Sequence, residues 1–321
     1  MSQIRNLILA LMLSLAALLA PAGPAQALQP FPAECKLTLA ASVPITFSRN
    51  HVLLPVTVNG KARVFAIDTG AFTSAVSDGV VAEQGIKTFG IRDGVEIGDL
   101  GHETAKLYAT LDEFIIGNQR ARDARMMVMK TEGVDGLVGP EYLRRFDLDF
   151  DFARQTLNLF RHHPCHDRAV YWTDDWFVVP MDVTDQGHIR VDVMLDGKPL
   201  RAMLDTGAAA TIIGAPVAQS DFGVDMDHSN IEGAKMTPMS GANGGTLDAL
   251  PWRFGGLRLS GINLKNPVLG VSTESFHSDY SSLLLGMDQL RKLHLYVAYD
   301  ERKLYFSRAN AGPDDPARTD H

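Results

Sequence analysis

The tetrapeptide Asp-Thr-Gly-Ala occurs twice, at Asp68-Thr69-Gly70-Ala71 and at Asp205-Thr206-Gly207-Ala208, each time at the end of an apolar run. Two carboxyls brought within a hydrogen-bond length cannot both ionise readily, so one proton serves the pair. The ionised member takes a proton from a water held between them, and the protonated member donates to a carbonyl oxygen. Such an attack yields a tetrahedral diol and needs no covalent intermediate. The proton is a property of the pair, not of either aspartate. Gly70 and Gly207 allow close backbone approach and bring amide donors toward the carboxylates.

What must position these residues is a duplicated unit. The first half reads HVLLPVTVNGKARVFAIDTGAFTS from His51, and the second reads HIRVDVMLDGKPLRAMLDTGAAAT from His188, without gaps. His51 aligns with His188, Gly60 with Gly197 and Asp68 with Asp205. A second match follows in each half. Gly136-Leu137-Val138-Gly139 leads into Leu143, and Leu283-Leu284-Leu285-Gly286 leads into Leu290. The stretch from Phe146 then parallels that from Leu293. The spacing between the two matches is ten residues longer in the second half, which predicts an insertion there.

The repeat is rich in strand pattern. Val52, Leu54, Val56 and Val58 alternate, as do Ile189, Val191, Val193 and Leu195. Each run ends in a hairpin dipeptide, Asn59-Gly60 or Asp196-Gly197. Returning strands at Val64–Ile67 and Leu200–Leu204 deliver the chain into each aspartate. Paired strands are expected at Phe146–Phe152 and Leu157–Phe160 and at their second-half partners. Helices are expected only at Ser77–Gln84, Pro140–Arg145 and Met287–Lys292.

At these motifs the chain resembles the retropepsin and pepsin clan of aspartic peptidases, over about Val52–Phe160 and Ile189–Phe306. The resemblance implies an all-β, bilobal acid-protease fold: two β-barrel-like lobes related by a pseudo-twofold axis, with a few short helices. It implies that Asp68 and Asp205 are catalytic and that Thr69 and Thr206 hydrogen-bond across the axis. Gly139 and Gly286 belong to the segments that pack behind the turns. Alanine after each glycine, with a hydroxyl residue six places after each aspartate (Ser74 and Thr211), is more similar to the retroviral branch, here as two halves fused in one chain. Ala71 and Ala208 leave room for substrate. The retroviral enzymes follow the second glycine with Arg, whereas this chain has Pro140 and Met287, so that arginine's contacts do not carry over. A mobile cover over the cleft is implied, with candidates at Gly98–His102 and at Ser240–Gly245.

The rest of the chain frames this reading. Residues 28–165 and 166–308 are expected to form the N- and C-terminal lobes. Hydrophobic residues at 45% and charged residues at 21% mark a globular chain. A net charge of -8 without a basic run argues against nucleic acid or an acidic membrane surface as partner. Arg5, the apolar stretch Leu7–Ala20 and the small residues Ala25 and Ala27 read as a signal peptide over residues 1–27, which predicts export to a periplasm or beyond. No later segment has the make-up of a membrane span. Cys35 and Cys165 are the two cysteines, and in an exported protein a disulfide between them is expected. The tail over residues 309–321 is expected to be disordered.

Two clusters are set aside. His162, His163, Cys165 and His166 match no closed metal-site spacing, and an exposed linker is expected. Asp147, Asp149 and Asp151 share one strand face, which is expected to be solvated. Neither metal nor cofactor is expected. The leading reading is a monomeric aspartic endopeptidase acting on extended polypeptides. The alternatives are a catalytically silent peptide- or cell-envelope-binding module on the same fold, and a processing enzyme with one dedicated partner.

Overall fold

Asn59-Gly60 and Asp196-Gly197 turn the chain with positive φ at both positions, 47° and 79° in the first pair and 46° and 80° in the second. This backbone matches the twist of the strands it joins. In the computed structural model, which describes residues 36–91, 105–162, 168–241, 246–273 and 281–309, the turns join His51–Val58 to Lys61–Ile67 and Ile189–Leu195 to Lys198–Leu204. The alternating residues Val52, Leu54, Val56 and Val58, and Ile189, Val191, Val193 and Leu195, are all buried, which pins each register. The signal segment, both cysteines, the Gly98–His102 cover and the tail beyond Ala309 lie outside the described residues.

The fold is mostly β and bilobal. In the first half, His51–Val58, Lys61–Ile67, Gly136–Val138, Ala75–Ser77, Gln119–Met129 and Leu107–Ile116 follow one another as neighbours. The last pairs back onto the first, Val56 opposite Ile116, closing a six-stranded barrel. The second half repeats the order with Ile189–Leu195, Lys198–Leu204, Leu283–Leu285, Ile212–Gly214, Val268–Ser272 and Thr246–Arg253. Where the first half has one long hairpin, the second has four shorter strands, with Gly256–Leu259 and Ile262–Lys265 inserted between Thr246–Arg253 and Val268–Ser272. Gly256–Leu259 turns back onto Ile189–Leu195.

One further layer draws on both halves. Its strands run in the order Leu39–Pro44, Thr156–Phe160, Asp147–Asp151, Leu293–Ala298, Lys303–Arg308 and Phe177–Val183. The halves meet where Leu148 faces Val297 and Phe150 faces Leu295. Leu148, Phe150, Leu295 and Phe306 are buried there, in the main hydrophobic cluster.

This layer corrects one expectation. Asp147, Asp149 and Asp151 are buried, not solvated, at 1%, 0% and 5% exposure. Strands flank theirs on both edges, and residues following 168 fold over their face. Asp149 accepts from Asn158 and from the Tyr171 hydroxyl and pairs with His294 Nε2 of the other half at 2.5 Å. Trp172 stacks on the His294 ring with centroids 4.0 Å apart. His162, assigned to a linker, pairs with Asp147 at 2.9 Å.

Helices are short. Asp78–Gln84 starts at Ser77, whose hydroxyl accepts from the Val80 amide, and stops at Gly85 with φ 60°. Pro140–Leu143 and Met287–Leu290 end earlier than expected. Ala215–Phe222 is a helix that the sequence reading did not anticipate, although it occupies the repeat position of Asp78–Gln84.

Asp149→Ala strips a buried carboxylate from His294 and Tyr171, so it should cost about 3–5 kcal/mol of stability in urea unfolding. A loss below about 1 kcal/mol would contradict this account of the layer.

Candidate active site

Each aspartate is delivered by a strand that runs parallel to the apolar-apolar-Gly segment of its own half. Ile67 sits beside Val138 and Leu204 beside Leu285. The next amide continues the ladder: Asp68 N–H donates to the Val138 carbonyl and Asp205 N–H to that of Leu285, both at 3.0 Å. The chain then turns tightly. Gly70 N–H donates to Asp68 Oδ1 at 3.0 Å, and Gly207 and Ala208 donate to Asp205 Oδ1 at 2.8 and 3.1 Å.

The threonines link the two turns. Thr69 N–H donates to Thr206 Oγ1 at 3.1 Å, and Thr206 N–H donates to Thr69 Oγ1 at 3.0 Å. Each hydroxyl then donates across the axis, Thr69 to the Leu204 carbonyl and Thr206 to that of Ile67, both at 2.8 Å. Both side chains are 2% exposed, so these bonds form away from water and leave no buried polar group of the pair unmet.

Each carboxyl reaches the opposite turn. A Cβ added at Gly70 would lie 2.4 Å from Asp205 Cγ, and one at Gly207 would lie 2.2 Å from Asp68 Cγ. Only glycine permits this approach. The two carboxyls lie close enough to shift each other's protonation. Burial, then the charge of Asp205, holds Asp68 well above the usual carboxylate range. Asp205 is also raised by burial, opposed by the Gly207 amide, the Asp68 carboxyl and the Ala208 amide.

A second ring of contacts supports the turns. Gly139 N–H donates to Ser74 Oγ at 2.7 Å and Gly286 N–H to Thr211 Oγ1 at 3.0 Å, with both side chains fully buried. Two acids absent from the sequence reading complete it. Glu141 Oε1 accepts from the Ser74 amide at 2.8 Å, and Asp288 Oδ1 accepts from the Thr211 hydroxyl at 2.6 Å. Burial raises Asp288, against the Thr211 and Gln289 donors. The available signal was positional: Glu141 and Asp288 each stand two residues after the second glycine of their half.

Pro140 and Met287 occupy the places where arginine was missing. Arginines four positions later cross to the opposite half instead: Arg144 donates to the Asp185 carbonyl at 3.0 Å and Arg291 to Asn50 Oδ1 at 3.1 Å. The second cover candidate is described in part. Strand Thr237–Ser240 pairs with Thr246–Arg253, and Gly241 bridges to Ala208; residues 242–245 lie outside the described set. Among the described residues no cluster of His, Cys, Asp or Glu is arranged to hold a metal, and no helix is long and apolar enough to cross a membrane.

An acid whose folded-state pKa lies above its unfolded value binds its proton more tightly in the fold. It therefore withdraws stability as pH rises past the unfolded value and through the folded one. Asp68 falls in this class. Asp68→Asn, which keeps the shape without the charge, should raise Tm by about 2–5 °C at pH 7 and change it little at pH 3. An equal change at both pH values in scanning calorimetry would refute the raised carboxyl.

Comparison with known proteins agrees with this architecture. The family model described as "gag-polyprotein putative aspartyl protease" matches residues 54–145 and again 191–292, one match per half. No curated protein matches the chain. Among solved structures, basic 7S globulin from soybean aligns over 86% of this chain and 97% of its own, with TM-score 0.50 and 11% identity, a likeness of fold alone. A retropepsin-like aspartic protease from Rickettsia conorii aligns over 43% of this chain and 95% of its own, with TM-score 0.32 and 22% identity. With more than half of its length matched in two tandem copies, the chain belongs to the gag-polyprotein aspartyl protease family.

Proposed function

We propose that the chain is an aspartic endopeptidase that hydrolyses extended polypeptides with a water activated by Asp68 and Asp205. One observation carries this reading: two carboxyls from opposite halves converge, each seated against the other half's glycine. Desolvation and mutual repulsion favour one shared proton over two charges. In the singly protonated pair, one oxygen accepts a proton from the attacking water while the other carboxyl donates to the scissile carbonyl. The amides of Gly70, Gly207 and Ala208 hold the carboxyls at fixed angles throughout. Membership of an aspartyl protease family supports polypeptide as the substrate class. Action as a single chain, exported through the Leu7–Ala27 segment, is part of the proposal.

The purified protein should cleave an unfolded polypeptide in a pepstatin-sensitive manner. Asp68→Asn and Asp205→Asn should each lower kcat by at least about 10²–10⁴-fold. Cleavage that survives in either variant, or its absence from the wild type, would remove the assignment.

Ala71 and Ala208 offer no side-chain hydroxyl to the carboxylates, so a donor that would favour their charged forms is missing. Activity should therefore extend from mildly acidic toward neutral pH. Ala71→Ser should move the profile down by about half a pH unit or more. A wild-type profile that peaks only below about pH 3 would contradict the raised pair.

A further inference from the structure

We propose that the strand Thr237–Gly241 is a self-inhibitory strap: it holds the Asp-Thr-Gly-Ala turn of the second half closed, and an extended polypeptide must displace it before cleavage. The inference rests on the hydrolytic reading above and adds a regulation to it.

The two turns are alike in sequence and unlike in cover. Asp205, Gly207 and Ala208 are buried, whereas Asp68, Gly70 and Ala71 are only half-buried. The difference falls where Gly241, itself buried, pairs antiparallel with Ala208. Among the described residues nothing pairs in this way with Ala71, whose carbonyl accepts from His188 Nε2 at 3.0 Å.

The strap has a seat built for it. At repeat-equivalent places Ala75 faces Met127 in the first half, and Ile212 faces Gly270 in the second. Met127 fills its place with its own side chain, packed with Ala75. Gly270 has none to offer, and Met239 reaches in from the strap instead. A Cβ added at Gly270 would lie 2.6 Å from Met239 Sδ. Met239 packs there with Ile212, Leu247 and Ala249. A flexible thioether suits such a gap. Gly270 is thus a socket and Met239 the plug that seats the strand beside the catalytic turn.

The hold is also one that can be released. Thr237–Ser240 is the outermost strand of its sheet and has its ladder on one edge only, with Thr246–Arg253. Pro238 has no N–H to give to that ladder. Thr237 and Pro238 are exposed, which leaves Met239 as the apolar anchor. A segment with so few buried contacts opens without global unfolding. An extended peptide can then supply the backbone partner that Gly241 gives up.

Only the open fraction binds, so a strap closed in about nine molecules of ten raises the apparent KM about tenfold. Met239→Ser removes the anchor, and Gly270→Ala fills the socket. On an unfolded polypeptide, Met239→Ser should lower KM about 5–10-fold with kcat within about twofold of wild type, and Gly270→Ala should shift KM the same way. The calorimetric Kd for pepstatin should fall by the same factor in both. In the wild type, pepstatin should speed amide exchange across Thr237–Gly241 about threefold or more. An unchanged or raised KM beside an active wild type overturns the strap and leaves the hydrolytic reading standing. Slower exchange with pepstatin bound overturns it too, because the strand then clasps the ligand rather than yielding to it; this measurement decides if neither variant folds. A wild type that is inactive until Met239 is replaced sustains both readings. If wild type and both folded variants are as inactive as Asp68→Asn, the hydrolytic reading falls and the strap falls with it.

Discussion

The reciprocal seating of each carboxyl on the other half's glycine governs the rest of the molecule. Two acids cannot be pressed together in a poorly hydrated place unless the scaffold opposes their separation and one proton remains. The opposition comes from the four threonine bonds across the axis, all made by buried groups. The parallel strands at Val138 and Leu285 fix where each turn begins, and Ser74 and Thr211 pin the glycines that follow those strands. Strands, turns and hydroxyl supports are thus successive answers to one electrostatic demand.

The twofold relation is approximate, and its departures are chemical. Pro140 opposite Met287 removes one backbone donor, and Glu141 opposite Asp288 changes the reach of the supporting acid. Glu141 bonds to the Ser74 amide, whereas the shorter Asp288 bonds to the Thr211 hydroxyl. The long hairpin of the first half is broken into shorter strands in the second. Such differences give the two acids unlike surroundings, which a symmetric pair assembled from identical halves would lack before substrate arrives.

Much of this was legible because the repeat carries its own check. Hairpin dipeptides with positive φ, alternating buried faces and the paired tetrapeptides are local signals, and each appears twice. The helix Ala215–Phe222 carries a weaker local signal than its counterpart Asp78–Gln84: it starts at Gly214, which has no side chain to cap it, where the other starts at the Ser77 hydroxyl. Asp147, Asp149 and Asp151 were misread for a different reason. Alternation says which residues share a face but not what covers it, and the cover here comes from Tyr171, Trp172 and His294, far away along the chain. Glu141 and Asp288 resemble ordinary acids in the first turn of a helix. Only the folded arrangement reveals that they hold up the loops behind the aspartates, or that His188 reaches across to the Ala71 carbonyl.

The layer shared by both halves has a kinetic meaning. Two separate half-molecules would find each other by collision, and dilution would disperse them. Here the partner is tethered, and Asp147–Asp151 hydrogen-bonds directly to Leu293–Ala298. The local concentration of one half around the other is that of an intramolecular partner, on the order of millimolar before any contact forms. Bringing the two acids together is thus a first-order folding event, and scarcity of the protein gives no means of switching it off.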